Sequence, residues 1–192
     1  MKYPKTFHLP NSPGTTSDDK ILKDNKKKKN KEVIVTEKLD GENTSLHHDK
    51  IHARSEDSKH HNSRSYGKLI HSQIKFSIPE YLQICCEYMF AKHSIFYNNL
   101  QSYLYVFVII DKKNNIFLNV NDTLNWCEYF NLPFVPIIYR GNYNNFNHEI
   151  PEKSFVGGDD IEGYVIRNVN EFNVSDFKFN VAKYVRKNHV QT

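Results

Sequence analysis

A lysine closes the run Val33-Ile34-Val35-Thr36-Glu37-Lys38-Leu39-Asp40-Gly41-Glu42-Asn43. β-Branched residues feeding a lysine, with a glycine three positions on, describe a strand that delivers one amine to a pocket wall. Such an amine is a nucleophile once its surroundings lower its pKa from about 10.4. Alone the signal is weak, because many strands end in a solvated lysine. Four more charged groups stand in or beside apolar runs: Arg54 in His52-Ala53-Arg54-Ser55, Glu87 in Cys85-Cys86-Glu87-Tyr88-Met89, Glu162 in Asp160-Ile161-Glu162-Gly163-Tyr164-Val165-Ile166-Arg167, and Lys183 in Val181-Ala182-Lys183-Tyr184-Val185-Arg186-Lys187. Each has an ordinary reading as a surface cation, a cap, a hairpin corner or an outward strand position. A buried charge is costly unless paired, so together they suggest one shared polar pocket.

The elements that must position these groups are short. The chain has 192 residues, enough for one domain, and its 13 Phe and 12 Tyr supply core area despite a hydrophobic fraction of 39%. A net charge of +4 suits a phosphate-bearing partner and is far from a dedicated nucleic-acid arm. Three cysteines, two of them adjacent, make neither a disulfide framework nor a metal site, and a reducing, intracellular location is expected. His47-His48 and His60-His61 lack zinc-ligand spacing. No signal peptide opens the chain, and the longest apolar run, Val106 to Ile110, is far too short to span a bilayer, so no membrane is expected.

Met1 to Asp19 reads as a turn-punctuated lead-in, and Lys20 to Lys31 as a Lys/Asn-rich loop or insertion. Val33 to Thr36 is the first core strand, and Thr44 to Ser55 a second one weakened at His47-His48-Asp49. Glu56 to Ser65 is a polar segment. Ser77 to Met89 starts helix-like. Tyr103 to Asp111 is the clearest strand, followed by a turn and a short return strand, Ile116 to Val120. Asp122 to Phe130 reads as a helix with Asp122 as N-cap and Leu124, Cys127 and Tyr129-Phe130 inward. Val135 to Tyr139, Ile161 to Arg167 and Phe177 to Val185 complete the strands, with a turn at Gly157-Gly158. The expected class is α+β with mostly antiparallel sheets and packed helices.

The five groups occur in a familiar order. Lys-x-Asp-Gly, an arginine, a glutamate, an apolar strand, Glu-Gly-Tyr-Val and a late strand lysine resemble the motif series of the covalent nucleotidyltransferases, which include ATP-dependent RNA and DNA ligases and mRNA capping enzymes. Glu87-Tyr88-Met89-Phe90-Ala91-Lys92-His93-Ser94-Ile95 resembles the glutamate segment of RNA ligases related to the phage type 2 enzyme. The lead-in Tyr3 to Pro10 and the ending Lys183 to Thr192 resemble the same RNA ligase branch. The resemblance implies a nucleotidyltransferase catalytic domain (ATP-grasp-like in architecture) over residues 1–192, with 20–31 inserted in it and no separate OB or other accessory domain.

By that resemblance Lys38 attacks the α-phosphorus of ATP and carries AMP. Glu162 works with Mg²⁺ (or Mn²⁺) through water, and Lys183 contacts phosphate. Glu37, Arg54, Glu87 and Asn43 serve the nucleotide, Glu87 at the ribose and Arg54 beside ribose and phosphate. Phe107 stacks on adenine, with Tyr105 a rival because register is open. Nearby cations, Lys183 and the metal, are expected to lower the Lys38 pKa. Where many relatives place a second lysine this chain has Val185; Arg186 is the replacement, although strand alternation sets Lys183 and Arg186 on opposite faces unless a bulge intervenes. The implied partners are ATP and RNA ends, in a nicked duplex or RNA–DNA hybrid among other geometries, in RNA repair. A capping guanylyltransferase acting on GTP and a non-catalytic RNA-binding module are the alternatives.

Overall fold

The computed structural model describes residues 1–23, 31–55 and 62–187. The Lys26–Lys29 run, His60-His61 and His189 to Thr192 lie outside the described residues. Among the described residues, ten strands form two antiparallel sheets. The smaller has the order β10-β8-β1-β7, from β1 (Glu32–Glu37), β7 (Ile137–Asn142), β8 (Gly163–Asn168) and β10 (Val181–Val185). The larger has the order β3-β2-β4-β5-β6-β9, from β2 (Glu42–Leu46), β3 (Ile51–Ala53), β4 (Leu82–Tyr88), β5 (Leu104–Asp111), β6 (Ile116–Phe117) and β9 (Phe172–Asn173). All pairings between these strands are antiparallel, as the short connections led one to expect.

Alternation assigns each face. Cys85, Val108, Ile110 and Phe117 of the large sheet meet Val165 and Val181 of the small one, with Tyr3 and Phe177 filling between them. On the outer side of the small sheet, Val33, Val35, Tyr164, Ile166 and Ala182 pack under Leu9, Tyr143 and Phe146. The far face of the large sheet buries Leu46, Ile84, Val106 and Ile109 under two helices, α1 (Ser65–Ile74) and α2 (Val120–Phe130). Fully burying a side chain such as Phe117 or Ile109 stabilises the fold by about 1.5–3 kcal/mol. Among the described residues no helix is long and apolar enough to cross a membrane.

Several local expectations are corrected. Ser77 to Met89 does not begin as a helix: a 3₁₀ turn ends at Ser77, and β4 starts at Leu82. The helix lies earlier, at Ser65–Ile74. Its inward face carries Gly67, Ile70, His71 and Ile74, so two of four positions at helical spacing are not hydrophobic and the periodic signal is dilute. Thr44 to Ser55 is a hairpin rather than one strand, turning where His47 N donates to Lys50 O. The return strand stops at Phe117, because Asn119 opens α2 by accepting from Asp122 N; Asp122 is a first-turn residue, not the cap. Tyr129 faces outward, 65% exposed. Phe177 to Val185 divides into a one-turn helix, α3 (Phe177–Asn180), and β10, the turn being held by Asn180 Nδ2 donating to Asp176 O.

Candidate active site

A pocket of about 360 Å³ opens between the two sheets. Lys38 reaches it from the end of β1, and its backbone N donates to Gly163 O at the start of β8. The next turn is drawn tight. Asp40 Oδ2 accepts from Ser94 N (2.8 Å), Ser94 Oγ (2.7 Å) and Ile95 N (3.0 Å), while Asp40 N donates to Tyr97 Oη (2.8 Å). Asp40 thus holds the lysine turn against the 94–97 segment. Gly41 is required by close approach: a Cβ there would stand 2.7 Å from Met89 Sδ and 2.8 Å from Tyr88 O.

Inside the pocket Lys38 Nζ donates to Glu162 Oε1. Burial alone would lower the Lys38 pKa. The carboxylates of Glu162 and Glu87 outweigh it and hold the pKa above the ordinary lysine value. The expected depression is therefore absent from the protein by itself, because the anions Glu162, Glu87 and Asp40 outweigh the effect of burial on the amine. Glu87, opposite Asn43 across the β2–β4 pair, is pushed up to about 8 by burial, with Lys38 opposing and Glu162 and Asp40 adding to the rise. Lys183 is brought down to about 8 by burial, and next by the Lys38 cation. Glu37 is raised by burial, against hydrogen bonds from Ser154 and from Phe155 N (3.0 Å).

The residues singled out from sequence converge unequally. Glu37, Lys38, Asn43, Arg54, Glu87, Phe107 and Lys183 all line the pocket, and Glu162 stands 1% exposed behind Lys38. Phe107 sits where the β4–β5 register shifts between Cys85 and Cys86 and has no partner there, whereas Tyr105 packs among Leu39, Met89 and Val135 and accepts from Gln101 N. The shift is what separates two aromatics of equal parity. Arg186 stands apart from this set: β10 pairs with β8 without a bulge as far as Val185, and Arg186 follows the end of that strand. It does not line the pocket; its backbone N donates to Glu162 O.

Arg167 was missed. Gly163, Val165 and Arg167 share one face of β8, which points Arg167 inward beside Phe107, its guanidinium carbon 5.9 Å from the ring centroid. It is 6% exposed and meets Tyr3 Oη at 3.5 Å. Its signal was available: period-two spacing from Val165 in the Gly-Tyr-Val-Ile-Arg string. Lys5 also lines the pocket, brought by the lead-in, which pairs along β10 through Lys183 N to Phe7 O and Leu9 N to Lys183 O. Beyond the Lys38–Glu162 pair, four cations, Lys5, Arg54, Arg167 and Lys183, face Glu37 and Glu87, a charge balance suited to a polyphosphate.

Among the described residues no group of three or more His, Cys, Asp or Glu is disposed to hold a metal ion. The pocket still fits a hydrated divalent cation. Glu37 Oε1 is a buried acceptor without a protein partner in the pocket wall, and Mg²⁺ retains several waters and takes few direct protein ligands.

A family model described as RNA ligase matches residues 31–185. Among solved structures, a glutamate-to-alanine mutant of Naegleria gruberi RNA ligase with AMP and Mn is similar at TM-score 0.65 and 15% identity, over 97% of this chain and 56% of that one. A lysine-to-alanine mutant of that ligase with ATP and Mn matches at TM-score 0.60 and 16% identity, over 84% and 51%. The same ligase with PPi matches at 0.62 and 19%, over 96% and 57%. These likenesses show a shared fold, and the chain spans little more than half the length of those ligase chains. No curated protein sequence matches. The family match names RNA ligases as a whole and not the phage type 2 branch.

Proposed function

The chain belongs to the RNA ligase family, and on that premise we propose that it seals RNA by an ATP-dependent route through a lysyl-AMP at Lys38. The observation that carries this reading is the convergence in one pocket of Lys38, Glu87, Arg54, Phe107 and Lys183, residues far apart in sequence. Residues 1–192 are read as one nucleotidyltransferase domain acting inside the cell.

The neutral Lys38 amine forms a bond to the α-phosphorus of ATP as the bond to the β-phosphate oxygen breaks, and pyrophosphate leaves. Lys38 must first lose its proton and its hold on Glu162. Lys183, Lys5, Arg54 and Arg167 spread positive charge over the phosphates and disfavour the charged amine. Phe107 offers a face for adenine, Glu87 an acceptor for the ribose hydroxyls, and Asn43 a polar contact beside it. Glu162 and Glu37 would orient the waters of a divalent cation, which when bound supplies charge neutralisation at the phosphates. AMP then passes to a 5′-phosphate end, and a 3′-hydroxyl displaces it to close the strand. Broken duplex RNA, or an RNA–DNA hybrid, in need of repair is the substrate class this reading favours.

Incubation with Mg²⁺ and α-labelled ATP tests the reading. Wild type should retain label on the protein and Lys38→Ala none. Label from GTP in preference to ATP would point to capping chemistry, and RNA binding without any label to a non-catalytic module.

A further inference from the structure

Behind the Lys38 turn lies a second hollow of about 550 Å³, formed by the 89–103 segment and Ile70 of α1. Leu39 and Met89 belong to the wall between the two cavities, and Tyr97 and Leu100 pack against that wall. The rim of the hollow is aromatic and open to solvent: Tyr66 is 48% exposed, Phe90 39% and Tyr103 36%. Their rings form one cluster. Tyr66 stacks on Phe90 at 5.0 Å, and Tyr103 stands 5.3 Å from each. Three aromatic side chains partly exposed together make a patch of the kind that marks an interaction site.

Charge says what the occupant is. The chain has 22 Asp and Glu, yet neither segment that builds the rim, 62–76 or 88–103, contains one. Those segments carry Lys68, Lys75 and Lys92 instead, with Arg64 paired to Glu42; the acidic group that reaches the 96 position from elsewhere is Asp159, which accepts from Phe96 N. Lys68 and Lys92 are exposed, and Lys92 Nζ lies 5.8 Å from the centre of the Phe96 ring. The hollow is lined further by Asn98, Gln101 and Ser102, uncharged groups that both donate and accept. Stacking faces, amide and hydroxyl groups and a cationic border match an unpaired stretch of polynucleotide. A protein partner's apolar ridge would leave the amides and lysines unused.

We propose that this hollow and its rim of Tyr66, Phe90 and Tyr103 bind unpaired nucleotides of the RNA. The open ring surface of the Tyr66–Phe90–Tyr103 cluster, with Phe90 at its centre, stacks on a base, Asn98 and Gln101 meet base edges, and Lys68 and Lys92 meet phosphates. The inference rests on the ligase reading for its choice of RNA. Because Asp40 joins the lysine turn to Ser94, Ile95 and Tyr97, RNA seated here presses on the segment that holds the turn carrying Lys38.

The test is a titration of the full chain with a labelled single-stranded RNA of about twelve nucleotides, a length within the reach of one such surface. A strand of equal length without bases serves as the reference. Wild type is expected to prefer the RNA by roughly tenfold. Phe90→Ala should bind both strands equally and Phe90→Trp should keep the preference, while Lys92→Ala weakens both alike. Circular dichroism confirms folding, and Tyr103→Ala gives a second reading if Phe90→Ala is unstable. Equal affinity of wild type for the two strands, or an intact preference in the Phe90→Ala Tyr103→Ala protein, overturns the proposal. So does a wild-type dimer that Phe90→Ala dissociates, since the face would then belong to a second copy. Labelling by α-labelled ATP on the same samples separates the two readings: its absence in wild type rejects the ligase chemistry, while an unchanged titration rejects only the platform.

Discussion

Lys38 Nζ is bonded to Glu162 Oε1 across the mouth of the β1–β8 pair, so the amine and its nearest carboxylate occupy one another in the protein without nucleotide. The arrangement keeps the lysine protonated and unreactive. Pairing also repays part of the cost of two groups withdrawn from water. On the proposed reading, nucleotide entry exchanges this pair for phosphate contacts.

Neutralising Glu162 should make Lys38 easier to deprotonate. In Glu162→Gln the acid limb of the labelling rate against pH is expected to move to lower pH, because the largest anionic influence raising the Lys38 pKa is gone. The maximal rate should still fall by about a hundredfold, as expected when a group that orients the reacting centre is lost. A limb that stays in place would disconnect Glu162 from the Lys38 proton.

Glu87 predicts a stability slope. Its pKa rises from 4.5 in the unfolded chain to about 8 in the fold, mainly through burial. The folded state therefore holds this proton where the unfolded state has released it. Its contribution is full below about 4.5 and is lost as pH climbs toward 8. Glu87→Gln should melt at nearly the wild-type temperature at pH 4.5 and a few degrees above it at pH 8, read by thermal melts across the range.

Lys183 gives the opposite sign from a cation. Its pKa of about 8 in the fold lies below the ordinary 10.5, so the charged form is disfavoured by burial and by Lys38. The cost is largest below pH 8 and fades as pH rises toward 10.5. Lys183→Met should hold or raise the melting temperature at pH 7 while cutting Lys38 labelling by about a hundredfold, an exchange of activity for stability.

Two aromatics of one strand should separate by assay. Phe107→Ala is expected to raise the ATP concentration for half-maximal labelling by about tenfold, through loss of an aromatic face worth up to 1.5 kcal/mol beyond its area. Tyr105→Phe removes the hydroxyl that accepts from Gln101 N (2.9 Å). It should cost about 1 kcal/mol of stability in denaturant melts and leave the ATP dependence alone.

Much of this protein was legible along the chain. Alternating apolar residues and short connections announced antiparallel sheets. The order of Lys38, Arg54, Glu87, Glu162 and Lys183 pointed to the RNA ligase family, because side-chain type and motif order are properties of the chain itself. Three matters belonged to the tertiary structure alone. The β4–β5 register shift chose Phe107 over Tyr105 for the pocket, and register depends on which strand lies alongside. The β8–β10 pairing brought Arg167 into the pocket wall and left Arg186 outside it, since a strand's faces acquire meaning only against a partner sheet. The charge state of Lys38 follows from Glu162 and Glu87, set beside it by folding, and Coulomb interactions depend on distance in space rather than along the chain.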